Sequence, residues 1–276
     1  MIDHYTNSSF LAKAIRHAKN ADAHLYDTEP TLTEDQRQQR KRLWWCCILR
    51  DRIVALGVRR SIQITPNDFD FGQECLTAAD FSEEMDKSRV YRADTKRLLV
   101  DIVALQCQLA VAVTPLAMAS YPARDSSSQN MSLISQFIQA MARVEECKTE
   151  LAVWARRSRT ILTNRDSRDI PLSPVGVSDT QESVMLYIDM THMYYLLVAY
   201  QLFDAYTRLT DCVRSARIAL CHYSTSVLQM YKMFIDDYEP RLDDVKRDLE
   251  ASTVRMADTV QSLIERGVAR YLPLSM

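Results

Sequence analysis

Glycine is scarce, with four among 276 residues. Sheet proteins of this length turn tightly many times, and phosphate-cradling loops cluster glycines, so the scarcity argues against both. No large charge imbalance is present either: 34 Lys and Arg face 36 Asp and Glu, a net charge of −2, which gives no bulk attraction to nucleic acid or anionic membrane. CxxC pairs, HExxH and a GxSxG elbow are all missing, so the common zinc-cluster, metalloprotease and hydrolase signatures fail. The seven cysteines are scattered singly apart from the neighbours Cys46 and Cys47, as expected of reduced core residues. The opening MIDHYTNSSF lacks the charged start and long apolar stretch of a secretory signal. An intracellular setting, cytoplasmic or nuclear, is the expectation.

Hydrophobic residues make up 47% of the chain and charged ones 25%, which suits a soluble protein with a sizeable core. The expected fold is all-α, a single irregular multi-helix bundle over residues 1–276. Ser8 or Ser9 is expected to cap a helix running to about Leu25, with Leu11, Ile15 and Ala18 on its apolar face. Thr33 with Gln36 reads as a capping box opening a second helix that stops near Gly57. Within it Arg50, Asp51 and Arg52 interrupt an apolar stretch, so any that is buried must be paired. Ile62, Ile64 and Pro66 to Phe71 suggest an extended segment laid on the helices, and Thr77 to Met85 a short helix.

Asp94 is expected to cap a long apolar helix that Pro115 kinks or ends. Its stretch Ile102 to Ala119 carries no formal charge and is the best membrane candidate, but Gln106, Gln108 and Thr114 favour a buried core helix instead. Ser132 to Arg159 forms a further amphipathic helix with Leu133, Phe137, Met141, Val144, Leu151 and Trp154 inward. Residues 158–181 collect Ser, Asp, Arg, Pro171 and Pro174 and read as a mobile internal loop. An aromatic helix from Val184 to about Tyr206 follows, and helices are expected over much of the rest.

The stretch KRLWWCCILRDRIVALGVRRSIQITPNDFDF resembles the central motif of the fungal-specific transcription factor domain, or middle homology region, and is most similar to cutinase-type regulators. The motif comprises basic residues and Leu-Trp-Trp at Arg40 to Trp45, the pair Asp51 and Arg52, a turn at Gly57 to Ser61 and an acidic segment from Ile62 to Asp70. Ser61 stands where the family has proline, and AYQLFDAY replaces an Arg-Pro turn. Looser matches extend the resemblance over most of the chain. It implies a helical regulatory domain, here shortened at its N-terminal side and without the cysteine-held zinc cluster that reads DNA in that family. A stand-alone chain is the favoured expectation, with no direct DNA binding and no membrane.

Several residues could carry chemistry. Tyr187, Met190, Tyr194 and, elsewhere, Trp45 are candidate ligand-binding residues, because tyrosines offer apolar surface with a hydrogen-bonding tip suited to a small apolar, oxygen-bearing metabolite. Core packing would account for them equally well. His192 and Tyr195 are the candidate catalytic pair should the scaffold be a recruited enzyme, a cofactor-independent cyclase or pericyclase needing a shaped cavity and a few donors. The leading reading is a regulatory, ligand-binding protein with a possible protein partner. No cofactor is expected. Asp189 and His192 stand three apart as in some bundle metal sites, but no second pair is evident, so no metal is expected. Asp243, Asp244 and Asp248 read as a solvated helix face, and the cations Arg37, Arg40, Lys41 and Arg42 as an exposed helix start.

Overall fold

The computed structural model describes residues 4–120, 133–163, 184–202, 204–205, 247, 250–251, 253–255 and 257–267. Among them every regular element is a helix, in keeping with the all-α expectation. Helix α1, His4–Asn20, buries Leu11, Ile15 and Ala18, the spacing of one helical stripe. Ser8 lies inside α1 and does not cap it; its hydroxyl accepts a bond of 3.1 Å from Arg60. The chain leaves α1 through Asp22, in the left-handed region at φ 52°, into a single 3-10 turn, Ala23–Leu25.

Helix α2, Glu34–Val58, opens on the reciprocal box expected of Thr33 and Gln36, with backbone to side-chain bonds of 3.0 and 3.3 Å. Glu34 and Asp35 in the first turn complement the positive end of the helix dipole. Trp44, Trp45, Ile48, Asp51, Arg52 and Leu56 are all buried, so α2 is surrounded for much of its length. Gly57 does not end it. Arg59 does, at φ 54° and ψ 55°, with its N–H on the Ala55 carbonyl. A side chain in that region costs about 1 kcal/mol that glycine avoids. Arg59→Gly is therefore expected to raise the unfolding free energy by about 0.5–1 kcal/mol, read as a higher urea midpoint at unchanged slope.

The segment after α2 folds back along it and buries Ile62, Ile64, Phe69 and Leu76. Asp68 shapes its turn by accepting from the Thr65 N–H and hydroxyl, both at 2.9 Å, and pairs with Lys19 of α1 at 2.6 Å. Burial alone would raise Asp68, yet these donors outweigh it and hold the carboxyl below its ordinary value. A 3-10 turn, Ala78–Phe81, capped by Thr77 with Asp80, leads into α3, Ser82–Lys87.

Helix α4, Ala93–Ser120, begins before Asp94, which pairs with Arg97 at 3.2 Å in the first turn and is not the cap. It also runs through Pro115 without ending there. Proline removes an N–H from the ladder, and here polar side chains crowd the neighbouring carbonyls: Thr114 donates to Ala110 O at 2.8 Å and the Cys147 thiol to Ala112 O at 3.4 Å. Helix α5, Leu133–Thr163, packs along α4 and buries Val144, Cys147, Leu151 and Trp154. Residues 158–163, expected in a loop, are its last turns; 164–181 lie outside the described residues. Helix α6 covers residues 184–202 and α7 residues 257–265.

Two main clusters form the interior. One gathers α1, α2 and the folded-back segment around Trp44, Trp45 and Phe69; the other gathers α4, α5 and α6 around Leu105, Trp154 and Tyr194. Helices α2 and α4 contribute to both. Residues Ala93–Met118 of α4 are long and apolar enough, at mean hydropathy 1.8, to cross a membrane by length and composition. The same helix buries Cys107 and Ala110 in one cluster and Leu105, Leu109, Val113 and Leu116 in the other, which is how a core helix sits between layers.

Candidate functional site

The family-like motif converges on a buried ion pair. Asp51 and Arg52, 1% and 2% exposed, are joined by a bond of 2.7 Å from Arg52 Nη1 to Asp51 Oδ2. Neighbouring positions on a helix diverge by about 100°, so each also faces a different structure. Asp51 accepts from the backbone N–H groups of Gln63 and Ile64 at 3.0 Å. Arg52 donates from Nη2 to Ile64 O and from Nε to Thr114 Oγ1, both at 3.0 Å, and lies 5.0 Å over the Phe71 ring. The pair thus ties α2 to the folded-back segment and to α4 beside Pro115.

Burial pushes both groups toward neutrality, and the partner opposes it in each case. Arg52 is lowered to about 10 by desolvation against the pull of Asp51, so it stays a guanidinium at neutral pH. Desolvation raises Asp51, while Arg52 and the two backbone N–H groups pull it back. Such a pair is a structural clamp: removing either partner strands the other charge.

Next to the clamp, α2, α4 and α6 leave a cavity of about 30 Å³, walled by Leu49, Ile53, Leu109 and Val113 and by the apolar parts of Arg52, Gln106 and Tyr194. That is room for about two water molecules. Burial lifts the Tyr194 phenol to about 12, with Arg50 acting against it, so Tyr194 is neutral and can donate. Gln106 donates to Thr191 Oγ1 at 2.8 Å, which fixes α6 against α4 above the cavity.

The residues singled out from the sequence do not gather at one place. Tyr194 lines the cavity. Met190 packs, partly buried, against the second core cluster, and Tyr187 is 42% exposed. Trp45 belongs to the other cluster, edge-on to Phe69 at 5.9 Å. Tyr195 stacks on Trp154, with ring centroids 5.3 Å apart and planes at 19°, and His192 is half-buried. Asp189, 0% exposed, pairs with Arg266 at 2.8 Å, and among the described residues no group of three or more His, Cys, Asp or Glu could hold a metal. Asp243, Asp244 and Asp248 lie outside the described residues. Three of the cations at the start of α2 are engaged, Arg37 with Glu34 at 3.5 Å, Lys41 with Asp80 at 2.9 Å and Arg42 with Glu84 at 2.7 Å, and Lys41 is buried and not on an exposed helix start. Thr114 carries the clamp from α4, and its only sequence signal is a hydroxyl inside an apolar run.

A helical domain closed by a buried clamp, with a cavity of solvent size beside it, is a packed scaffold in which the signature motif holds the helices together. The sequence model of the fungal specific transcription factor domain matches residues 3–179, and the chain belongs to that family. Curated relatives include cutinase transcription factor 1 beta of Fusarium vanettenii, 29% identical over 174 residues, which cover 56% of this chain and 19% of the relative. Transcription factor cpaR of Aspergillus oryzae is 34% identical over 71 residues, covering 25% of this chain and 12% of its own length. A transcription factor of Fusarium pseudograminearum (strain CS3096) is 34% identical over 65 residues, with 22% and 7% covered. The chain therefore spans less than a fifth of the length of these relatives. No solved structure matches.

Proposed function

We propose that this chain is an intracellular regulatory module of a fungal transcription regulator, responding to a small apolar, oxygen-bearing metabolite and not reading DNA itself. Family membership supports the regulatory role. The observation that carries the ligand reading is the cavity between α2, α4 and α6, whose walls are almost wholly apolar and to which Arg52, Gln106 and Tyr194 contribute their apolar parts. At about 30 Å³ it admits a ligand only by opening, so binding would be read out as a shift of α6 against α2 and α4. The alternative, a cofactor-independent cyclase, needs a substrate-sized cavity at His192 and Tyr195; this cavity is smaller and is lined by neither.

The test fuses the chain to a heterologous DNA-binding domain and reads reporter transcription in a fungal host. Wild type is expected to change reporter output, and Ala110→Leu, which fills the cavity, to abolish the change. Overpacking costs about 1–3 kcal/mol, so Tyr194→Phe serves as a gentler second variant. Output equal to that of the DNA-binding domain alone would remove the regulatory reading. Unchanged response in both variants would remove this cavity from it. The unfused chain is expected to give no sequence-selective gel shift.

A further inference from the structure

Of the three charged residues that interrupt the apolar stretch of α2, Asp51 and Arg52 pair with each other and Arg50 is left over. Arg50 is half-buried, and among the described residues its guanidinium forms no ion pair and no hydrogen bond. A cation held partly out of water without a counter-charge is a cost that nothing in the described residues offsets.

The packing of α6 on α2 shows what Arg50 faces. Gln201 of α6 donates to Leu56 O of α2 at 3.4 Å, and seven residues earlier on each helix Tyr194 and Leu49 share the wall of the cavity. The two helices therefore advance together, and Arg50, the residue after Leu49, is level with Tyr194. Its charge is near enough to act on the Tyr194 phenol, as is Tyr187, which stands seven residues before Tyr194 and so on the same face of α6. Tyr194 gives its apolar part to the cavity wall and has its hydroxyl within electrostatic reach of Arg50. Tyr187 is 42% exposed, so this group of side chains opens to solvent.

An unpaired guanidinium at the edge of an apolar cavity selects a particular chemistry. A carboxylate carries one charge, meets a guanidinium through two parallel hydrogen bonds and leaves the rest of a small molecule apolar. A phosphate dianion overmatches a single cation beside an almost wholly apolar wall. We propose that the ligand of this cavity is an apolar carboxylic acid whose carboxylate is bound by Arg50, with the Tyr194 hydroxyl as a second donor and the apolar body turned into the cavity. The proposal rests on the ligand reading given above and adds the charge of the ligand to it. Alcohols and amides of the same shape lack the charge that Arg50 selects.

The test measures the binding of phenylacetate, and of phenylacetamide as its neutral counterpart of similar shape, to the whole chain by isothermal titration calorimetry. The acid is expected to bind about tenfold more tightly than the amide. Arg50→Gln should abolish that preference and leave the amide unchanged, and Tyr194→Phe should weaken the acid more than the amide. Arg156→Gln, which removes an exposed cation on α5, should change neither. Unchanged melting confirms that each variant folds. Equal affinities for acid and amide, or equal losses of both in Arg50→Gln, would overturn the carboxylate. Where those equal affinities are lost in Ala110→Leu, the cavity reading survives without it; where neither compound binds, both readings fall.

Discussion

Asp51→Ala is expected to lower the unfolding free energy by about 3–5 kcal/mol. The carboxylate is 1% exposed and neutralises a guanidinium that is 2% exposed, so its removal leaves a buried charge with no counter-charge. It also strands the N–H groups of Gln63 and Ile64, each costing roughly 1–3 kcal/mol if water does not reach it. Arg52→Met breaks the same bond from the other side but leaves a stem that still packs toward Phe71. The double variant removes both charges, so its loss should fall short of the sum of the singles by about 1–3 kcal/mol. Urea unfolding of the four proteins gives the cycle. A loss below about 1 kcal/mol for Asp51→Ala would mean that the clamp is not dry.

Trp154→Ala should cost about 3–5 kcal/mol by opening a cavity where three helices meet. The side chain is 3% exposed, donates from Nε1 to Leu105 O of α4 at 2.8 Å and stacks on Tyr195 of α6. Alanine removes the bond, the stack and the volume together. Trp154→Phe keeps a ring against Tyr195 and deletes the donor, so about 1–2 kcal/mol is expected, smaller than the alanine loss. Thermal unfolding followed by circular dichroism measures both. Equal losses would show that the hydrogen bond, not packing, carries the contribution; no loss in either would separate α5 from the α4 and α6 interface.

Local features of the sequence reported local structure well where both partners lie within a few residues. Thr33 and Gln36 form their box because each side chain reaches a backbone N–H one turn away, and nothing distant competes. The stripe of Leu11, Ile15 and Ala18 was visible for the same reason, since periodicity places side chains on one face wherever the helix docks. Ser8 and Asp94 misled because a residue that can end a helix need not do so, whereas α2 does stop near Gly57. Ser8 is held within α1, Gly57 continues α2 for another residue before Arg59 turns it, and Asp94 pairs with Arg97 inside the first turn of α4. Pro115 is expected to kink or end its helix; neighbours on α2 and α5 engage groups beside it and the helix does not end there.

The sequence by itself determined an all-helical chain, the starts and stripes of several helices, the need for any buried member of Arg50 to Arg52 to be paired, and the family, since each follows from residue types and spacings along one stretch. The tertiary structure decided which groups meet. Arg52 reaches Thr114 across 62 residues, Trp154 reaches Leu105 across 49, and Arg266 reaches Asp189 across 77. It also sent Tyr194 to the cavity, Tyr195 to Trp154 and Trp45 to the other core, although the first two are neighbours on one helix. Adjacent helical residues point about 100° apart, and what each side chain touches depends on the helix packed against that side, which no local pattern encodes.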